Sequence, residues 1–158
     1  MICMQEVTIR PSRGLDEITQ VRHVRYLVLR KPLELPYEET LFAGDDNPDT
    51  LHIVAYCNSQ PVGCLTLMPP EHTQAQETWV QLRGMAVLSE LQGQGIGTQL
   101  LAFVAKLASK HHWKLWCKAR ESAVAFYSAS GWKVVGDRFD IPKIGPHFRM
   151  EWNDEVNL

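Results

Sequence analysis

The residues best suited to chemistry lie just past the middle of the chain. Gln92-Gly93-Gln94-Gly95-Ile96-Gly97 follows an apolar, strand-like run, Leu82 to Leu88, and opens a helix-like run from Thr98 to His111. Glycines on alternate positions let the backbone turn tightly with its N–H groups outward, and a helix N-terminus behind them adds partial positive charge. Such a turn is a seat for a phosphate or pyrophosphate. Two side chains further on could move protons. Tyr127 has an ordinary phenol pKa of about 10, so it holds its proton at neutral pH and suits a general acid. Beside Phe126 on a helix, its residues alone read first as a packed core aromatic. His147 has an ordinary pKa of about 6.5, which suits a base. Glu38, Glu39 and Glu77 are the other candidates for that role.

These residues need a scaffold. Val7 to Arg10 alternates as a first strand. Leu15 to Leu29 carries apolar residues at helical spacing and ends before Pro32. Leu33 to Asp49 reads as a loop with one short helix beginning near Pro36. Leu51 to Cys57 and Val62 to Leu67 are β-rich, and Asn58-Ser59-Gln60-Pro61 between them is turn chemistry, so the pair reads as a hairpin. Pro69 to Gln76 is a polar excursion. Thr78 to Val87 reads as a long strand in which Gly84 marks a bulge or a close backbone approach. The helix after Gly97 puts Leu100, Leu101, Val104, Leu107 and Ala108 on one face. Trp113 to Ala119 is a strand, Glu121 to Ser130 a helix stopped by Gly131, and Trp132 to Gly136 and Phe148 to Trp152 are two more strands. The predicted fold is α/β of the α+β kind: a mixed, mainly antiparallel central sheet of six to seven strands flanked by helices.

With 158 residues the chain fits one domain, 1–158, with a sizeable core. Its net charge of −2 lacks the basic footprint of a nucleic-acid binder. No apolar run reaches membrane-spanning length, and Met1 to Arg10 lacks the basic-then-apolar layout of a signal peptide. The cysteines are Cys3, Cys57, Cys64 and Cys117, with no Cys-x-x-Cys pair and no zinc-ligand spacing. Cys57, Cys64 and Cys117 read as reduced, buried thiols, which places the chain in the cytoplasm. No lysine or arginine occurs between Lys31 and Arg83, an interval holding Glu34, Glu38, Glu39, Asp45, Asp46, Asp49, Glu71 and Glu77. That stretch is either a solvated surface or an acidic rim that attracts a cationic substrate. Arg22, Arg25 and Tyr26, a turn apart on the first helix, read as a solvated polar face.

Three kinds of phosphate loop compete for the glycine turn. A nucleotide P-loop requires a lysine after its last glycine, and here Thr98 follows Gly97. A dinucleotide fingerprint requires a third glycine where Thr98 stands. The third kind fits. Gln-x-x-Gly-x-Gly between a strand and an amphipathic helix resembles motif A of the GCN5-related N-acetyltransferases, the GNAT superfamily. Leu82 to Leu88 resembles that family's fourth strand. Ala123-Val124-Ala125-Phe126-Tyr127-Ser128-Ala129-Ser130-Gly131-Trp132 is similar to its Ala-x-x-Phe-Tyr-x-x-x-Gly-Phe segment, and Ile144 to Met150 to its closing strand. The likeness is strong from Trp79 to Trp152.

The resemblance implies acetyl-CoA as cofactor and acetyl transfer to a primary amine of a small molecule or peptide by direct attack on the thioester. It gives Gln92, Gly93, Gln94, Gly95, Ile96, Gly97 and Thr98 to the pyrophosphate, and the strand edge at Met85, Ala86 and Val87 to the pantetheine arm. It makes Tyr127 the acid that protonates the departing thiolate. Many relatives have an asparagine seven residues before that tyrosine; here Arg120 stands there, and a cofactor phosphate is its expected partner. Members often form homodimers. The competing function is an acyl-CoA sensor that binds without turnover, and a nucleotide-binding protein is a weaker third. No metal is expected.

Overall fold

The structure, a computed structural model, describes Cys3 and residues 6–154; Met1, Ile2, Met4 and Gln5 of the N-terminal stretch lie outside the described residues. The strands are β1 (Thr8–Arg13), β2 (Leu51–Cys57), β3 (Gln60–Leu67), β4 (Glu71–His72), β5 (Thr78–Val87), β6 (Trp113–Arg120), β7 (Lys133–Val134), β8 (Phe139–Ile141) and β9 (Gly145–Trp152). The α-helices are α1 (Ile18–Arg25), α2 (Ile96–His111) and α3 (Val124–Ala129). The sheet runs β1-β2-β3-β5-β6-β9-β7, with β4 on β5 and β8 on β9. The β5–β6 pair is parallel and the other described pairs are antiparallel. This is the expected mixed fold, with two short ribbons that the sequence did not signal.

Period-2 alternation sorts the sheet into two faces. Ile53, Ala55, Leu65, Leu82, Leu115, Cys117 and Met150 bury against Leu100, Leu101, Val104 and Ala108 of α2 and Tyr127 of α3. Val54, Tyr56, Cys64 and Ala86 bury against Val21 and Val24 of α1 on the other face. Each fully buried aliphatic side chain contributes about 1.5–3 kcal/mol, so these two layers hold the helices to opposite sides of the sheet.

The first helix departs from its expected span. Leu15 is exposed and the α-helix starts at Ile18. At its far end the backbone widens into a π-helical turn, Tyr26–Arg30, of a kind that often marks functional sites. A 3-10 turn over Tyr37–Thr40 provides the short helix expected near Pro36. The strand expected at Trp132 to Gly136 shrinks to Lys133–Val134, because Trp132 turns inward to pack on Tyr127. Cys64 and Cys117 are free and buried, as expected, but Cys57 is joined to Cys3 in a disulfide. That corrects the reading of Cys57 as a reduced thiol and removes its support for a reducing compartment.

Among the described residues no helix is long and apolar enough to cross a membrane.

The sheet opens at one place. β5 and β6 pair in register from Thr78↔Trp113 to Leu82↔Cys117 and then part. On its other edge β5 continues along β3, with Ala86 opposite Cys64 and Val87 opposite Gly63. The register slips between Cys64 and Thr66, opposite Gly84, whose φ of +62° is open to glycine and strained for most other residues. The predicted bulge is therefore real, and it bends β5 away from β6.

Candidate functional site

The gap between β5 and β6 widens into a groove of about 910 Å³ that passes through the sheet. One arm lies on the α2–α3 face, with Gly93, Gly95, Gly97, Thr98, Phe126 and Tyr127 on its wall. The other lies on the α1 face, with Leu29, Arg30, Phe42, Arg83, Arg120 and His147. Met85, Ala86 and Val87 form the shared wall, their outer edge free of β6.

The glycine turn has the backbone features that suit an anion. Gly93 and Gly95 have φ of +82° and +85°, and a Cβ at either would meet nothing within 4 Å, so conformation rather than space calls for glycine there. Gly97 is different. It lies inside α2, and a Cβ would come within 2.9 Å of the Phe126 ring, so it lets α2 and α3 approach. The first helical bond runs from the Gln99 N–H to the Gly95 carbonyl at 3.0 Å. The N–H groups of Gly95, Ile96, Gly97 and Thr98 are thus the orphan donors of the helix start, and Gly95 has no side chain to cap them. Gln92 braces the turn by donating from Nε2 to the Val87 carbonyl at 3.0 Å. Gln94 alone among the residues expected to hold the cofactor is not on the groove wall. Its Oε1 accepts the Cys3 N–H at 3.4 Å, beside a separate pocket of about 400 Å³.

Tyr127 is only 5% exposed and is wedged between Phe126 and Trp132, with ring centroids 5.3 Å away on each side. Burial, then the neighbouring Cys117, pushes its phenol well above the ordinary value, so the hydroxyl stays protonated across the physiological range. Burial also pushes the Cys117 thiol up to about 12, which leaves it inert as a nucleophile. His147 is buried, stacks on Phe139, and pairs in register with Arg120. Its Nδ1–H donates to the Gly145 carbonyl at 2.7 Å, which leaves Nε2 with the free lone pair.

The α1 arm rests on a buried polar network. Arg25 is fully buried and grips Asp45 with both ends of its fork, at 2.7 and 3.1 Å. It also donates to the Thr40 carbonyl and to Thr66 Oγ1, both at 2.7 Å, and lies 3.7 Å over the Phe42 ring. The Thr66 hydroxyl donates on to His52 Nδ1 at 2.8 Å, and His52 Nε2–H donates to the Asp45 carbonyl at 3.2 Å. Burial pushes the Asp45 carboxyl up, but the hydrogen bonds and charge of Arg25 outweigh it and hold it below the ordinary range. Burial lowers His52 and keeps it neutral. The solvated face expected for Arg25 is thereby corrected. Its position four residues after Val21, on the buried stripe with Val24, was the available signal.

The acidic stretch does not furnish the groove wall. Asp45 is spent on Arg25, and Glu77 pairs with Lys114. Neither these nor Glu34, Glu38, Glu39, Asp46, Asp49 or Glu71 lines the groove, which sets Glu38, Glu39 and Glu77 apart from His147, the candidate base on its wall. Arginines occupy the wall instead. Arg120 points to α1 rather than to the glycine turn, donating from Nη2 to the Leu29 carbonyl at 3.2 Å. Arg83 lies 4.8 Å over Phe42, and Arg30 donates from Nε to the Glu39 carbonyl at 3.0 Å. Burial, then Arg120, lowers Arg30; burial, then Arg25, lowers Arg83; burial lowers Arg120. Among the described residues no three His, Cys, Asp or Glu gather as a metal site.

Comparisons with known proteins bear on the family and the fold. Residues 48–134 match the family model of the acetyltransferase (GNAT) domain. The chain is 29% identical over 129 residues to the uncharacterized N-acetyltransferase YitI of Bacillus subtilis (strain 168), covering 80% of this chain and 85% of that one. Among solved structures, Escherichia coli ElaA superimposes with a TM-score of 0.76 at 19% identity, over 92% of this chain and 99% of that one. Arabidopsis thaliana Naa50, in complex with the bisubstrate analogue CoA-Ac-MVNAL, superimposes with a TM-score of 0.71 at 19% identity, over 94% and 99%.

Proposed function

The chain belongs to the GNAT acetyltransferase family, and from that premise we propose that it moves an acetyl group from acetyl-CoA to a primary amine of a small molecule or peptide, as a single domain. One observation carries the proposal: a glycine turn that opens a helix and a protonated phenol lie on one arm of a groove that opens through the sheet to a second arm. Acetyl-CoA, when bound, supplies the acyl group as an activated thioester. The amides of Gly93 to Thr98, with Gln92 bracing them, hold its diphosphate through free N–H groups and the helix dipole. The outer edge of Met85–Val87 offers main-chain groups to its amide-rich arm, as a sheet edge does to an added strand. A β5 N–H stabilises the negative charge that develops on the carbonyl oxygen. Tyr127 gives its proton to the departing sulfur. His147 Nε2 takes the proton that the amine must lose. The amine enters from the α1 side, where the groove reopens.

Release of free thiol from acetyl-CoA with a panel of amines tests this reading. Acceptor-dependent release is expected. Saturable CoA binding with no release for any amine would make the protein a sensor instead.

A further inference from the structure

The α1 arm says which amines. Its wall carries Arg30, Arg83 and Arg120, half-buried, together with Lys118, and among the described residues no aspartate or glutamate lines any part of the groove. A cationic acceptor such as a polyamine would meet like charge there. Asp45 is bidentate with Arg25, and Glu39 meets Arg30 through its main-chain carbonyl, its charge opposing only in part the burial and the neighbouring arginines that lower Arg30. Among the described residues Arg120 makes a single side-chain hydrogen bond, to Leu29, and Arg83 lies over the Phe42 ring with no side-chain hydrogen bond. Each guanidinium has five N–H donors, so both retain donors for another group. The arginines come from three elements, α1's π-helical turn, β5 and β6, and meet at one place in the fold. Guanidinium forks suit planar or tetrahedral oxyanions, which they grip in bidentate fashion. CoA phosphates do not account for them, because the glycine turn that suits a diphosphate lies on the opposite face of the sheet.

We propose that the acceptor is a small amine that also bears an oxyanion, a carboxylate or a phosphate, held by Arg83 and Arg120 with Arg30 beside them. This rests on the acetyl-transfer reading, and it assigns the α1 arm to the anionic end of the acceptor rather than to its amine. The arginines position the amine by fixing the other end of the same molecule.

The test is binding of product analogues, which needs no turnover. N-acetylalanine is titrated against N-acetylalaninamide, and N-acetyl-2-aminoethyl phosphate against N-acetylethanolamine, with the protein alone and saturated with CoA. The anionic member of at least one pair is expected to bind roughly tenfold or more tighter, as charge-assisted hydrogen bonds imply. Preference in the first pair identifies a carboxylate and in the second a phosphate; either supports the proposal. Arg83→Gln and Arg120→Gln should each shrink that preference while CoA affinity holds, and Arg83→Lys should restore only part of it. Equal affinity within both pairs, or no binding by any of the four, overturns the proposal. So does a loss of CoA affinity in the arginine variants, which would make them cofactor ligands. Failure of CoA itself to bind would defeat the acetyl-transfer reading and leave the preference on the protein alone to be judged separately.

Discussion

The two arms of the groove are made of different material. The α2–α3 arm is built from consecutive backbone: residues 85–98 carry the strand edge and the amides, and Tyr127 with Phe126 closes over them. The α1 arm is built from side chains that converge from distant segments, with Arg25 and Arg30, Phe42 and Asp45, Arg83, and Arg120 arriving separately. A backbone site tolerates many side chains but demands glycine at positions of positive φ. A side-chain site demands particular groups and, beneath them, a scaffold that fixes each group in place. A site of the first kind suits a ligand whose shape does not vary; one of the second kind suits a choice among substrates.

If the α1 arm hangs on its buried network, the largest effect comes from breaking it. Arg25→Met leaves Asp45 buried without its partner and should cost about 3–5 kcal/mol in urea unfolding. Replacing both, Arg25→Met with Asp45→Leu, should lose less, because no uncompensated charge remains. A single variant as stable as the parent would show that the two arms are held alike.

The next effect belongs to the other arm. Tyr127→Phe keeps the aromatic packing and removes the proton, so kcat should fall on the order of 100-fold while CoA affinity holds. Full turnover in that variant would return Tyr127 to a packing role.

A smaller change separates backbone demand from packing. Gly95→Ala forces a side chain into the left-handed region at a cost of about 1–2 kcal/mol, and calorimetry should read most of it as weakened CoA binding. Gly97→Ala presses on Phe126 instead, so it should act on kcat as well as on affinity.

The smallest effect is in the acid limb of stability. His52 has its folded pKa below the ordinary 6.5. Between those values the unfolded chain binds a proton that the folded chain refuses, so stability falls as pH drops below about 6.5, by no more than ~1.4 kcal/mol per unit. Asp45, held below its ordinary 3.8, adds a second loss as pH falls from that value through its folded one. His52→Gln should flatten the first slope in chemical denaturation at pH 5 to 7 and leave the second.

The same contrast explains what could be read from the chain before the fold was known. The glycine turn, the bulge at Gly84, and the Phe126-Tyr127 segment are local patterns, and each sits where its spacing predicts. Strands β2 and β5 match their predicted spans: β2 is a near-continuous apolar run that ends at Asn58-Ser59, and β5 is a long run of apolar residues broken only by Gln81, Arg83 and Gly84. The α1 arm left no comparable mark. An arginine on a helix carries the same letter whether solvated or buried, and only its place on the Val21–Val24 stripe set Arg25 apart. The acidic interval left a solvated surface and a rim both open, because sequence counts charges without showing which one, Asp45, is folded inward. The short strand β8 escaped because its pairing with β9 is set across the Pro142–Gly145 turn rather than by any periodicity of its own.

The central claim is that main-chain amides at the start of α2 seat the coenzyme on one side of the sheet while the acceptor enters from the other. Calorimetric titration of the protein with CoA tests it most directly. Saturable binding at one site per chain, weakened in Gly95→Ala and unchanged in Arg83→Gln, is the predicted result. Absence of saturable heat, or a loss of affinity that follows the arginine rather than the glycine, would contradict it.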